Sequence, residues 1–342
     1  QEHGHGLAEV LFGDENPAGR LNMTWYRHVS QLPDLMAYDI IRTGMTYQYF
    51  DGPVLYPFGY GLSYTSFRYE GLELARGRME EPPLAATDAP GLVLTATDRL
   101  QVTFAVTNAG TVAGDEVPQL YLQARTSRVK RPLRQLAGFC RVRLAPGESR
   151  TVTFEVPATE LSFWDVTRNR FCLETADWRV MVGASSADIR LEGGYHLNGE
   201  TVPPQNPFRG LAAMNYDDMD AMFLDRCDDV EANAVSPHPV VHSAMRGLHD
   251  EGWLVFRDVD FGTGAGSFSV RMTTATPGGA IEVRLDNPAN EPVGVCDTPG
   301  TGGWQRWTTR TGPLFGVSGR HDVFVRLQGR MALSWIRFAP GS

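Results

Sequence analysis

Leu100-Gln101-Val102-Thr103-Phe104-Ala105-Val106-Thr107 sets its large apolar side chains on every second position. Successive strand residues face opposite ways, so the stretch reads as a strand with one buried face. Asn108-Ala109-Gly110 closes it in a turn. Downstream, Val117 to Leu122 supplies another strand, and Val152, Phe154 and Val156 alternate with Thr151, Thr153 and Glu155. Ala145-Pro146-Gly147-Glu148 is a turn, and Trp178, Val180 and Val182 mark a late strand. Short strands at this spacing, with no helical period between them, predict a β-sandwich.

The pattern recurs near the end of the chain. Val259 to Phe261, Phe268 to Met272, Ile281 to Leu285, Val323 to Leu327 and Leu333 to Phe338 read as strands. Thr276-Pro277-Gly278-Gly279 and Thr298 to Gly303 read as turns. A second sandwich of jelly-roll type fits the strand number and spacing. Between the two β units, Glu192 to Arg209 is a polar connection carrying Gly193-Gly194 and Pro203-Pro204. The boundaries expected are a first sandwich over 67–193, a linker over 194–207 and a second sandwich over 208–342.

The first 66 residues differ. Gly6 to Phe12 reads as a short helix stopped by Gly13, Asp14 to Gly19 as a turn-rich connection, and Leu21 to Tyr26 as a strand. Such a segment cannot form a two-layer core alone and must pack on something else. It ends in Leu55-Tyr56-Pro57-Phe58-Gly59-Tyr60-Gly61-Leu62-Ser63-Tyr64-Thr65-Ser66-Phe67. Glycines permit tight turns and the aromatics require a covering surface, so this run predicts an ordered junction between two units.

Composition bounds the function. The chain has 342 residues, 21% of them charged, and a net charge of -9. That balance argues against nucleic acid, whose phosphates call for clustered cations. The basic run from Arg125 to Arg134 lacks interleaved aromatics and reads as a solvated loop. No apolar run reaches the roughly 18 residues of a membrane span. The expectation is a soluble protein of bacterial type, cytoplasmic or secreted, with neither nucleic acid nor membrane as partner. The chain begins at Gln1 with no leader, which suggests a mature, trimmed or excised piece.

The four cysteines Cys140, Cys172, Cys227 and Cys296 follow no zinc spacing and read as buried thiols, though a Cys140–Cys172 bridge fits within one domain. His3 with His5, and His238 with His242 beside Pro237 and Pro239, do not make a helical metal face. Asp217, Asp218, Asp220, Asp225, Asp228 and Asp229 lack a Gly-centred calcium loop and read as a solvated surface. No metal and no cofactor are expected.

Three stretches then resemble three modules of one enzyme type. Leu7 to Leu21, with the aromatic-glycine run, is similar to the end of the α/β sandwich domain of glycoside hydrolase family 3. Val106-Thr107-Asn108-Ala109-Gly110-Thr111-Val112-Ala113-Gly114-Asp115-Glu116, continued by Val117-Pro118-Gln119-Leu120-Tyr121, Arg131 to Phe139 and Leu144 to Glu148, resembles the fibronectin type III-like domain that follows it. Trp253 to Gly262, Gly279 to Asp286 and Thr301-Gly302-Gly303-Trp304-Gln305-Arg306-Trp307 resemble a family 6 carbohydrate-binding module. The fold expected is therefore mainly β: two β-sandwiches preceded by the C-terminal piece of an α/β sandwich domain.

The resemblance implies a β-xylosidase or β-glucosidase parent, with the β-xylosidase preferred from Leu21 to Tyr26, Tyr38 to Ile41 and Thr46 to Phe50. Retaining glycosidases use two carboxyl groups about 5 Å apart. In this family the nucleophile Asp lies in an N-terminal (β/α)8 barrel, and the acid/base Glu precedes the segment present here. No catalytic residue is expected in this chain. Ala176-Asp177-Trp178 mimics the nucleophile motif by letters only, and Glu2 is read as passive. The partners implied are the barrel, the remainder of the α/β sandwich domain and a β-linked oligosaccharide.

Carbohydrate contacts implied by the resemblance are Trp304, Trp253, Tyr47 and Tyr49, a pyranose needing an aromatic face to stack on. Trp304 matches the family's stacking tryptophan. Gly247 stands where a second aromatic is usual, Ala332 where an asparagine is usual, and Ala213-Met214 where an Ala-Glu pair helps hold calcium. Weak or absent xylan binding follows as the expectation. The alternatives are a free-standing carbohydrate-binding protein and an adhesin-like structural module.

Overall fold

A computed structural model describes all residues except 1, 36, 38, 79–90, 228–242, 248–250, 275 and 342. They gather into two compact units, 1–163 with 171–202 and 164–170 with 203–342. No helix among the described residues is long and apolar enough to cross a membrane.

The first unit opens with helix α1 (Glu2–Phe12), strand β1 (Trp25–Tyr26), the single-turn helix α2 (Thr46–Tyr49) and strand β2 (Val54–Tyr56), which pairs with β1. Strands β3 (Phe67–Arg78), β4 (Val93–Leu94), β5 (Asp98–Asn108), β6 (Gly114–Glu116) and β7 (Gln119–Ala124) follow. In chain order then come β8 (Gln135–Phe139), β9 (Val142–Leu144), β10 (Ser149–Pro157), the short β11 (Phe163–Asp165) and β12 (Arg170–Cys172), whose residues 164–170 count with the second unit, and β13 (Ala176–Gly183) and β14 (Ile189–Leu197) of the first. One sheet has the order β10-β5-β3 and the other β4-β14-β13-β7-β8.

The decisive alternation holds. Leu100, Val102, Phe104 and Val106 are buried, and the residues between them are half-buried. In register, Phe104 faces Val152 and Val102 faces Phe154 on β10. Leu120, Leu122, Val180 and Val182 close the core from the opposite sheet. Tyr69 stacks on Phe104 at 6.0 Å between centroids.

Some expectations shift. Of Leu21 to Tyr26 only Trp25–Tyr26 is strand, because Leu21 instead exchanges backbone hydrogen bonds with Gly59 and Tyr60. The strand expected from Val117 begins at Gln119, since Pro118 has no N–H to give a ladder. Gly193-Gly194, read as connection, lies inside β14 and pairs with Arg179 and Val180. A Cβ on Gly193 would stand 3.0 Å from Leu74 Cδ1 and 3.2 Å from Leu72 Cδ2, so the glycine is a close-packing residue. Gly193→Val is expected to cost roughly 1–3 kcal/mol by overpacking; urea unfolding with an unchanged midpoint would contradict this.

The second unit is built from β15 (Leu211–Ala212), β16 (Asp218–Asp220), β17 (Met222–Arg226), β18 (Ser243–Gly247), β19 (Glu251–Asp260) and β20 (Ala265–Thr274). It is completed by β21 (Ala280–Leu285), β22 (Gly294–Asp297), β23 (Thr308–Val317), β24 (Arg320–Gln328) and β25 (Met331–Pro340). One face runs β17-β18-β25-β20-β23, with β15 also on β25, and the other β16-β19-β24-β21-β22. Phe256, Phe268, Val270, Ile281, Val283, Val325, Leu333 and Ile336 are buried between them. The chain is mainly β, as the alternation implies. All four cysteines are free thiols, so Cys140 and Cys172 form no bridge.

Candidate functional site

In the first unit, the aromatic-glycine run is the seam that fixes residues 16–66 to the sandwich. Asn16 reaches both ways: its Oδ1 accepts from Ser63 Oγ at 3.0 Å and Tyr64 N at 2.8 Å, while its Nδ2 donates to Ala113 O at 3.0 Å. Arg20 Nη2 pairs with Glu116 Oε1 at 3.1 Å in a largely buried setting. Ser186 N donates to Phe58 O, and Gln119 Nε2 to Gly59 O at 3.1 Å and Ala184 O at 2.8 Å. Gly59 has φ +80°, and a Cβ there would collide with the Gln119 amide. The turn chemistry of the run and the buried Gln119 therefore define one another.

Tyr47 and Tyr49 sit on α2, beside this seam. The Tyr47 ring stacks on Phe58 at 4.1 Å and 16°, with its other contact edge-on to Tyr121 at 6.1 Å. Its hydroxyl accepts from Leu136 N at 3.3 Å, and Leu133 N donates to Gln48 O at 2.7 Å. Tyr49 is half-buried, and burial raises its phenol pKa against the opposing pull of Arg131. Arg131, from the basic run, lies over Phe163 at 5.1 Å and Trp178 at 5.5 Å, and its Nη2 donates to Leu161 O. Lys130 Nζ donates to Ile41 O at 2.7 Å. The run is a loop, with Arg125 and Lys130 exposed, while Arg131 is packed into the structure.

In the second unit, Trp253 stands on β19, whereas Trp304 lies in the turn that precedes β23. Trp253 is half-buried on β19, edge-on to Phe324 at 5.3 Å. Trp304 follows the loop Thr301 to Gly303, which Thr273 Oγ1 fixes by donating to Gly303 O at 2.7 Å. Trp304 and Trp307 pack against Cys227 and Ala332. Ala332 is the cross-strand partner of Arg246, next to Gly247. The positions singled out in sequence therefore do converge with Trp304.

Arg246 changes what that convergence offers. Its guanidinium carbon lies 3.6 Å from the Trp304 ring centroid and 5.6 Å from that of Phe223. Asp225 Oδ2 holds it from the side at 3.1 Å. A cation thus occupies a face of the aromatic ring that a sugar would stack on. No sequence signal marked Arg246, since a lone arginine on a strand carries no motif.

The remaining candidates are placed as follows. Asp177 is a surface residue of β13, its Oδ1 2.7 Å from His196 Nδ1. Asp217 accepts from Gln205 Nε2 and Arg257 N, and Asp218 lies 3.8 Å from Arg257, so the acidic neighbourhood is distributed among partners. His3 and His5 are exposed on α1. Asp228, Asp229, His238, His242 and the Glu2 side chain lie outside the described residues. Among the described residues, no three His, Cys, Asp or Glu side chains gather as a metal site.

Comparison with known proteins agrees with this order of parts. Residues 1–64 match the family model of the glycosyl hydrolase family 3 C-terminal domain, 116–186 that of the fibronectin type III-like domain, and 213–340 that of the carbohydrate binding module of family 6. The chain is 37% identical over 214 residues to probable beta-glucosidase K of Emericella nidulans, covering 59% of this chain and 23% of that protein. It is 38% identical over 192 residues to a xylan 1,4-beta-xylosidase of Xylanibacter ruminicola, covering 56% and 20%. Against the crystal structure of beta-D-glucoside glucohydrolase from Trichoderma reesei the TM-score is 0.48 at 31% identity, covering 58% of this chain and 29% of that one. The chain spans about a quarter of the length of the curated relatives it matches. In order, it carries a family 3 C-terminal domain segment, a fibronectin type III-like domain and a family 6 carbohydrate-binding module: it is the C-terminal part of a family 3 glycoside hydrolase.

Proposed function

We propose that this chain completes and scaffolds the catalytic core of a retaining β-glycosidase, exo-acting on β-xylosides or β-glucosides. The observation that carries the reading is the asymmetry of residues 1–66. One side is hydrogen-bonded into the sandwich, while Phe12, Val29 and Leu35 are 84%, 83% and 87% exposed. Leu7, Leu11, Met23, Trp25, Leu32 and Leu55 are exposed as well. A soluble surface rarely presents so many large apolar groups in one segment unless another body covers it. The remainder of the α/β sandwich domain, with the (β/α)8 barrel that brings the nucleophile and acid/base carboxyl groups, is the covering body proposed.

Sugar contacts from this chain are assigned to Trp304 and Trp253 in the jelly roll, and to Tyr47 and Tyr49 near the seam. The reading of a free-standing carbohydrate-binding protein is disfavoured by Arg246 on the Trp304 ring and by the uncovered apolar segment.

The test is turnover of aryl β-xyloside and aryl β-glucoside. The chain alone is expected to give the blank rate, and the chain joined to the barrel and the rest of the sandwich domain to give turnover. Hydrolysis by the purified chain alone would overturn the proposal, as would a joined protein that remains inactive on both substrates.

A further inference from the structure

A second polar site lies within the first unit, apart from the tyrosines of α2. Between the aromatic-glycine run and the β13–β14 turn is a cavity of about 440 Å³, walled by Pro57, Tyr60, Glu116, Ser185, Ala187 and Arg190, among others. That volume falls in the range of small-molecule sites. Two of its polar side chains are almost completely buried, Glu116 and Ser185 at 3% exposure each.

Their hydrogen bonds are only half used. Glu116 Oε1 accepts from Arg20 Nη2 at 3.1 Å and from Tyr69 OH at 3.0 Å. Burial, followed by the Glu116 charge, pushes the Tyr69 phenol up, so it remains a donor. Among the described residues, Glu116 Oε2 accepts nothing. Ser185 Oγ accepts from Ala187 N at 3.3 Å and Asp188 N at 3.0 Å, which leaves its O–H as an uncommitted donor. The Tyr60 hydroxyl has no hydrogen bond among the described residues either, and its ring forms one wall.

The charges in the wall are already matched. Arg20 gives its other terminal nitrogen to Ala18 O and Gly19 O. Arg190 spends its donors on Phe67 O and both Asp188 carboxylate oxygens. Each guanidinium is already paired with a carboxylate, so an anion would have to compete with Glu116 for Arg20 and with Asp188 for Arg190. A cation meets one open carboxylate oxygen beside two arginines. Beside an aromatic face, the site thus offers the Glu116 Oε2 acceptor and the hydroxyls of Ser185 and Tyr60 to a ligand.

We infer that this cavity binds a neutral polyol of about pentose size, donating a hydroxyl to Glu116 Oε2 and accepting from Ser185 Oγ. Its ring C–H face would lie on Tyr60. The site belongs to the seam and does not depend on the glycosidase reading, since all of its lining residues lie in the first unit.

The test is titration of the full chain with D-xylose, followed by calorimetry and by amide shifts at Ala184 to Asp188. A dissociation constant on the order of 1–10 mM is expected for so small a ligand. Ala187→Phe fills the mouth from an exposed position, and Glu116→Gln leaves one side-chain oxygen, which Arg20 and Tyr69 claim, so the open acceptor becomes an amide N–H2. Each is expected to weaken binding at least about tenfold, equivalent to the loss of one good hydrogen bond or of access. If Glu116→Gln fails to fold, Ala187→Phe decides. No binding up to about 50 mM overturns the inference, as does binding unchanged in folded Ala187→Phe. Inorganic phosphate that displaces D-xylose from these amides overturns the neutral-ligand assignment.

Discussion

Asn108→Leu is expected to lower the unfolding free energy of the first unit by roughly 3–4 kcal/mol, a large share of a typical domain's stability. Asn108 is fully buried at the end of β5, and its amide is saturated. Nδ2 donates to Val112 O at 2.8 Å and Leu144 O at 3.1 Å. Oδ1 accepts from Thr65 Oγ1 at 2.6 Å and Gly110 N at 3.1 Å. Its backbone also exchanges bonds with Glu148 and Gly147. Leucine of similar size would strand these partners, each costing about 1–3 kcal/mol where water cannot reach it. Val112 is exposed and recovers much of its loss from solvent, which holds the sum near the lower end.

The same change is expected to loosen the seam, because Thr65 loses its anchor. Amide exchange from Leu62 to Ser66 should accelerate in Asn108→Leu at conditions where the core strands stay protected. Asn108→Asp separates the two halves of the amide. It keeps the acceptor but points a carboxylate at two carbonyls, so its folded-state pKa lies above the unfolded value of about 3.9. A group raised in this way favours folding when protonated, so the variant should recover stability as pH falls towards about 4. Denaturant unfolding within about 1 kcal/mol of the parent, with unaltered exchange at the run, would refute the assignment.

How much of this was readable in sequence follows from the range of the interactions. Alternation in Leu100 to Thr107 is local, dictated by strand geometry, and it survives intact as the buried row of β5. The seam is not local. Arg20 meets Glu116, Asn16 meets Ala113 and Tyr47 meets Leu136 across spans that no short-range pattern encodes. Tyr47 was legible as an aromatic needing a partner, but composition cannot say whether that partner is a sugar or Phe58. Gly193-Gly194 shows the converse ambiguity, since glycine marks both a connection and a place where leucines press against backbone. Asn108 stood inside the most specific stretch of the chain, yet its role needed the loops on either side of it to be placed.

Arg246→Ala is expected to raise affinity for xylo-oligosaccharides by about tenfold, turning a closed aromatic face into an open one. The guanidinium over Trp304 is held by a half-buried carboxylate and by contact with two rings. A cation over an indole is worth about 0.5–2 kcal/mol depending on desolvation, and the partly exposed Asp225 pair adds up to about 1 kcal/mol. A sugar that stacks on the same face must first displace the arginine, and its apparent affinity falls by that amount. Every 1.4 kcal/mol of this obstruction is a factor of about ten. Asp225→Asn removes the tether and leaves the ring contact, so a smaller gain of about two- to threefold is expected. Trp304→Ala placed on top of Arg246→Ala should abolish the gain, which separates stacking on this ring from any effect on Trp253. Calorimetry of the full chain with xylohexaose, alongside retardation in a xylan gel, reads all three variants. An Arg246→Ala protein that keeps its melting temperature and binds no better than the parent would show that the cation is not what closes the site. Gly247 and Ala332, which offer no second ring and no amide, would then be the limiting positions, and the gain would have to be sought by restoring a side chain there.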